Sequence, residues 1–240
     1  MHRSGGRCCL VISGRDLYRV GRIRVVARSW LNGPRRAYYR RMEGAFPHDV
    51  TAFILAGGKS TRMGADKAFI EYDGRTLLAR ALDLARSVTP DVRIAGSREK
   101  FAPFAPVVED VFHARGPLGG IHAALRSSPT ELNLMLAVDM PFVPAPFLQY
   151  LIDEARVATP AMVVVAHGEA HWQPLCGIYR RAFADAAEAA LLAGRNRIDP
   201  LFDASTTRVI DEEELRHAGF SSAIFRNLNT PEELEAQRRA

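Results

Sequence analysis

From Val50 onward the chain alternates short apolar runs with longer segments of helical apolar spacing, and this limits the fold more than any other feature. VTAFIL (Val50–Leu55) is an apolar run ending at Gly57-Gly58, the pattern of a strand buried on both faces. Thr76–Val88 places Leu77, Leu78, Ala81, Leu82, Leu84 and Ala85 at helical spacing behind a threonine cap. Short strands are expected at Val92–Ala95 and Val107–Val108, then a helix entered through a Gly-Pro turn at Pro117–Ser127. A long apolar strand, Leu132–Val138, ends at Asp139; a helix at Pro146–Arg156 and a strand at Ala161–Ala166 follow. Another apolar run spans Pro174–Tyr179, and an alanine-rich helix over Arg181–Leu192 closes at Gly194. Val209-Ile210 is a short strand, and Thr230–Arg238 is a terminal helix with Thr as cap, Pro next and Glu three after the cap. This succession implies right-handed crossovers and an α/β fold: a mostly parallel sheet flanked by helices in three layers. No internal repeat and no linker interrupts the chain after residue 50. In such sheets ligands sit at the carboxyl ends of strands, where two chemically loaded segments fall, Leu55–Lys67 and Asp139.

Charge divides the chain in two. The net charge is +5, but residues 1–41 hold 11 Arg against one Asp, which is +10, while the rest holds 21 basic and 26 acidic residues, which is −5. The mildly acidic body therefore carries no electrostatic signature of a nucleic-acid binder. We read residues 1–48 as a basic extension without expected structure or function and 49–240 as the functional domain. Three accounts of the extension stand open: a basic arm for RNA or anionic lipid, an Arg-rich organellar transit peptide, or an upstream extension with Met42 as the true start. The last fits the sharp composition break near Met42. No apolar run approaches the ~18 residues that a membrane helix needs. Three cysteines cannot build a disulfide framework, so a reducing, cytoplasmic setting is expected, with no nucleic-acid or membrane partner for the body.

The segment after the first strand reads LAGGKSTRMGADKA, Leu55–Ala68. Gly57, Gly58 and Gly64 let backbone N–H groups approach a phosphate or a base, and Lys59, Arg62 and Lys67 supply charge for a polyphosphate. A plain turn does not need three cations among three glycines. A P-loop is excluded, since its first glycine would fall at Phe53, and the G-x-G-x-x-G fingerprint is absent.

This segment resembles the signature loop of molybdenum cofactor guanylyltransferases, within the Rossmann-like nucleotidyltransferase superfamily (the nucleotide-diphospho-sugar transferase-like fold). Other segments resemble the family in the same order: GPLGGI (Gly116–Ile121), DMPF (Asp139–Phe142), QPLCGIYRR (Gln173–Arg181) and NLNTPEEL (Asn227–Leu234). The resemblance covers about residues 50–236. It implies transfer of GMP from GTP to the terminal phosphate of molybdopterin, with release of pyrophosphate and Mg²⁺ as cofactor. Molybdoenzyme apoproteins or other cofactor-biosynthesis proteins are the implied protein partners. By the same resemblance Leu55, Ala56 and Gly57 line the nucleotide base, Lys67 contacts the triphosphate with help from Arg62, Asp110 helps bind the nucleotide, and Asp139 holds the metal. One departure stands out: where the family often has Asn after the second strand, this chain has Ala95-Gly96-Ser97-Arg98. A CTP-dependent relative, or one acting on a sugar-type phosphate, is the competing enzyme class; a binder acting through residues 1–41 is the non-enzymatic alternative.

The residue types suit the chemistry. Nucleotidyl transfer needs positioning and charge stabilisation more than covalent help, and Mg²⁺ needs only one or two carboxylates because it keeps waters. Asp139 is either that carboxylate or a cap before Pro141; Asp110 is a ligand residue or a turn residue. No protein nucleophile is required. His167 and His171 lack zinc-protease spacing and are expected, with Glu169, on a polar loop. His113 and His122 are expected at the surface or hydrogen-bonded, and Cys176 is expected as a buried core thiol. Asn196-Arg197 either caps a helix end or touches the acceptor's phosphate.

Overall fold

A computed structural model describes residues 17–20, 23–26, 49–57, 66–168 and 171–228. It divides the chain into two units, Met1–Ala45 and Phe46–Ala240. In the first, β1 (Leu17–Val20) and β2 (Ile23–Val26) pair antiparallel, with Leu17 opposite Val26.

The second unit is built on one seven-stranded sheet. Its strands are β3 (Val50–Leu55), β6 (Asp91–Ala95), β7 (Val107–Val108), β8 (Leu132–Ala137), β9 (Val163–Gly168), β10 (His171–Arg180) and β11 (Thr207–Ile210), with β4 (Glu71–Tyr72) and β5 (Arg75–Thr76) forming a separate small hairpin. Across the sheet the order is β11-β9-β10-β8-β3-β6-β7. Within it β10 alone is reversed, antiparallel to β8 and β9, and every other pairing is parallel. The expected mostly parallel α/β sheet is therefore what forms.

Successive side chains of a strand point to opposite faces, so a strand with helices on both sides must be apolar throughout. β3 and β8 meet that requirement. Ala52, Ile54, Leu134 and Leu136 enter one core cluster with residues of α1 (Leu77–Arg86) and α4 (Ala145–Val157). Phe53 and Met135 enter the other with α3 (Pro117–Ser127) and α5 (Phe183–Leu192). These are the three layers. Two further helices are short: α2 (Arg98–Phe101) and α6 (Glu212–His217). Thr76 caps α1 as the sequence implies, its hydroxyl accepting from the Ala79 N–H at 3.2 Å.

Chain order places the crevice. From β3 the chain moves outward to β6 and β7, then returns to lay β8 on the other side of β3. The connections leave β3 and β8 in opposite directions, so the gap between their carboxyl ends is the topological switch point at which open α/β sheets bind ligands.

The structure departs from expectation in a few places. β9 starts and ends two residues later than the apolar run, at Val163 and Gly168, because His167 pairs opposite Trp172 and prolongs the ladder. The β4–β5 hairpin and α6 were not expected. The terminal helix expected at Thr230–Arg238 lies outside the described residues.

Candidate functional site

Two strand ends are laced together at the switch point. The Val138 N–H donates to the Leu55 carbonyl at 3.2 Å, and the Ala56 N–H donates to the Ala95 carbonyl at 3.0 Å. Leu55, Ala56 and Gly57 thus sit at the end of β3 with Asp139 just past the end of β8. The Asp139 carbonyl is itself fixed, accepting from the Leu228 N–H at 3.0 Å.

Lys67 opens a 3-10 turn, Lys67–Phe69, whose cap is Asp66: its carboxylate accepts from the Ala68 N–H at 3.2 Å and from Lys100 Nζ at 2.8 Å. This places Lys67 Nζ 3.3 Å from Asp139 Oδ2, across 72 residues of sequence. Both side chains are partly exposed, 29% for Lys67 and 18% for Asp139. A cation and a carboxylate that face each other at an open strand end can both turn to a ligand: the ammonium to an anion, the carboxylate to a metal.

Asp110 follows β7 on the other side of the crevice and is half-buried. It faces the GPLGGI helix α3. A Cβ at Gly119 would lie 3.5 Å from Asp110 Oδ2 and 3.0 Å from the Phe112 carbonyl, and a Cβ at Gly120 would lie 3.5 Å from Asp110 Oδ1. The carboxylate contacts are of ordinary length, so Gly119 is needed for the close passage of the Phe112 backbone, and Asp110 simply packs on this face of the helix. Burial pushes the Asp110 carboxyl above the ordinary carboxylate range, opposed in part by His113. Its neighbour Glu109 points elsewhere, accepting from the Arg98 backbone N–H at 3.0 Å. At the family's departed position Gly96 lets Phe101 approach: a Cβ there would lie 2.9 Å from that ring. Ser97 precedes α2 without capping it through its side chain.

Of the expected site residues, then, the structure brings Lys67 and Asp139 together beside Leu55, Ala56 and Gly57, and sets Asp110 against α3. Arg62 lies outside the described residues, as do Gly58, Lys59 and Gly64. Among the described residues no three His, Cys, Asp or Glu side chains group as a metal cage. A cavity of about 260 Å³ opens on the α1 side of the Asp139 turn, lined by Arg75, Arg80, Asp83, Val138 and Met140 among others. Neither Lys67 nor Asp139 lines it.

Three histidine expectations change. His167 and His171 sit on strands β9 and β10, not on a polar loop. His167 meets Trp172 edge to face with ring centroids 4.8 Å apart. His122 is buried, and neither ring nitrogen has a hydrogen-bond partner among the described residues. It lies edge-on to Phe112 and 3.9 Å from the Glu188 carboxylate. Burial holds its imidazole below the ordinary histidine range, helped by Arg126 and opposed by Glu188. Cys176 is fully buried as expected, its thiol pushed up to about 12 by desolvation. Arg197 is exposed and faces Asp199 at 3.5 Å. No helix among the described residues is long and apolar enough to cross a membrane.

The chain is similar to known proteins in sequence and fold. Residues 52–209 match the family model of the MobA-like NTP transferase domain. A molybdenum cofactor guanylyltransferase of Desulfosudis oleivorans is 35% identical over 189 residues, covering 78% of this chain and 93% of that protein. A molybdenum cofactor guanylyltransferase of Vibrio cholerae is 33% identical over 196 residues, covering 78% of this chain and 91% of that one. Among solved structures, molybdopterin-guanine dinucleotide biosynthesis protein A of Archaeoglobus fulgidus superposes with a TM-score of 0.67 at 27% identity, covering 79% of this chain and 97% of that chain.

Proposed function

We propose, starting from the fact that this chain belongs to the MobA-like NTP transferase family, that it transfers GMP from GTP to the terminal phosphate of molybdopterin. The observation that carries this is the Lys67–Asp139 pair at the switch point, in a chain whose relatives are named for that reaction.

An oxygen of the acceptor's phosphate attacks the α-phosphorus of GTP. A new P–O bond forms, the bond from that phosphorus to the bridging oxygen breaks, and pyrophosphate leaves with the electron pair. The chain contributes no nucleophile. Its work is to hold two anions together and to offset the charge that builds on the phosphates. Leu55, Ala56 and Gly57 offer backbone groups to the guanine base from the end of β3. Lys67 turns its ammonium from Asp139 to the triphosphate, Arg62 adds a second cation, and Asp110 meets the nucleotide from the α3 side.

The donor set fits Mg²⁺. A partly exposed carboxylate at a strand end suits a hard cation that keeps several waters and takes phosphate oxygens, whereas zinc wants a cage of nitrogen or sulfur ligands. Asp139 would hold it, and when bound the ion supplies Lewis-acid charge to the phosphates. The three cysteines of the chain agree with a cytoplasmic setting.

The test is an assay with each of the four nucleoside triphosphates, with and without molybdopterin. GTP-dependent, molybdopterin-dependent release of pyrophosphate is expected. A strong preference for CTP would overturn the guanine assignment, and no turnover with any of the four would overturn the transferase itself.

A further inference from the structure

We infer that Trp172 is the surface on which the acceptor's fused pterin ring stacks; this rests on the function proposed above and names the seat of its second substrate. The acceptor carries its reacting phosphate at one end and its flat heterocycle at the other. With the phosphate held near Asp139, the ring needs a seat some distance along the same edge of the sheet, away from the half that takes the nucleotide.

The sheet supplies that direction. On the side of β8 facing away from β3 lie β10 and then β9. At ordinary strand spacing these stand about 5 and 10 Å from the strand that ends at Asp139. β9 runs parallel to β8, so its carboxyl end at Gly168 and the start of β10 at His171 lie at the same edge as Asp139. A group at this hairpin tip is therefore at the right edge and on the acceptor's side.

The tip carries a fixed aromatic. Trp172 lies opposite His167 in register, and their rings meet at 80°. Phe202 meets the same indole from another element, with centroids 5.1 Å apart at 63°. The register shifts between Trp172 and Gly177, so the paired tip is offset from the rest of the β9–β10 ladder, a device that re-aims side chains next to active sites. The indole is only half-buried, although two rings hold its orientation. A ring ordered before the ligand arrives loses little freedom on binding, which is how preorganised aromatic sites gain affinity. Nothing in the guanylyl transfer itself uses these three rings.

Stacking of a flat heterocycle on an aromatic side chain is worth roughly 5- to 150-fold in affinity. The chain has two tryptophans, Trp30 and Trp172, so a full-length Trp30→Phe variant reports Trp172 alone. Titration of that variant with molybdopterin is expected to quench its emission saturably. In steady-state transfer, Trp172→Leu is expected to raise the KM for molybdopterin about tenfold or more, with the KM for GTP held within twofold; Trp172→Phe should recover most of the loss. Unchanged emission in Trp30→Phe overturns the assignment, as does an unchanged acceptor KM in folded Trp172→Leu. If Trp172→Leu does not fold, the quenching alone decides. Quenching without transfer from any nucleotide would keep the pterin seat and remove the transferase function. Transfer from GTP with unchanged emission would do the reverse.

Discussion

The two halves of the sheet flank the same central strand, β8, and finish their edges differently. On the β3–β6–β7 side every pairing is parallel, so no hairpin joins neighbouring strands, and what stands at the described edge is backbone, glycine and isolated charge. On the β10–β9 side an antiparallel hairpin is formed, and its tip presents packed rings: His167, Trp172 and, against them, Phe202. The first kind of edge suits phosphates and a metal, which need close backbone approach and charge. The second suits a flat organic ring. On the function and the pterin seat proposed above, one fold would carry two recognition chemistries side by side, with Lys67 and Asp139 at their border.

Substitutions at the border should damage both halves most. Asp139→Asn keeps shape and removes the charge proposed to hold the metal; we expect transfer to fall by about 10²–10³-fold, with the unfolding temperature nearly unchanged. Lys67→Met should give a loss of about 10²-fold with the same readout. Full activity in both variants would dissolve the border. A smaller effect should be confined to the nucleotide half. Gly119→Ala places a Cβ 3.0 Å from the Phe112 carbonyl, so α3 and the backbone two residues past Asp110 must part by a few tenths of an ångström. The KM for GTP is expected to rise about tenfold, a change of ~1.4 kcal/mol, while the KM for molybdopterin stays put. An equal rise in both would mean that the halves are not separable.

The smallest effect concerns stability beneath the nucleotide half. His122 is buried without a hydrogen-bond partner among the described residues, and burial weakens its hold on a proton. The unfolded chain takes up a proton near the ordinary histidine value of about 6.5, and the folded chain takes it up only at lower pH. Stability is therefore intact above that pH and falls as pH drops below it, with a slope of at most about 1.4 kcal/mol per pH unit for one proton. His122→Leu should remove this part of the loss. Urea unfolding at pH 7.5 and 5.5 checks it: the gap between the two pH values should narrow in the variant, and an unchanged gap would place the titrating group elsewhere.

The same contrast explains what the sequence reveals. A strand buried on both faces leaves a plain signal, so VTAFIL and LNLMLA are legible as β3 and β8, and the capped Thr76 segment as α1. Asp139 is legible because it stands where an apolar run stops. The Lys67–Asp139 contact is not, since 72 residues separate the pair and only the return of β8 beside β3 joins them. The hairpin tip is harder still. His167 and His171 look like polar-loop residues until the reversed β10 pairs their stretch with β9, and antiparallel reversal has no mark in a run such as HWQPLCGIYR. Two smaller elements did leave a mark. Asp73-Gly74 with positive φ at both residues is the turn of the β4–β5 hairpin, and Asp211 with Glu214 forms the capping box of α6. Both patterns stand in the sequence. His122 offers no such mark, because an unpartnered buried ring is a property of its surroundings.

The account depends on one nucleotide bridging the two halves' border. A crystal structure of the full chain with GTP and Mn²⁺, the ion located by its anomalous signal, tests this directly. The account predicts the triphosphate within hydrogen-bond distance of Lys67 Nζ and the ion bound to the Asp139 carboxylate, with the Lys67–Asp139 contact opened between them. Nucleotide found in the cavity lined by Arg75 and Arg80, or an ion bound away from Asp139, would contradict it.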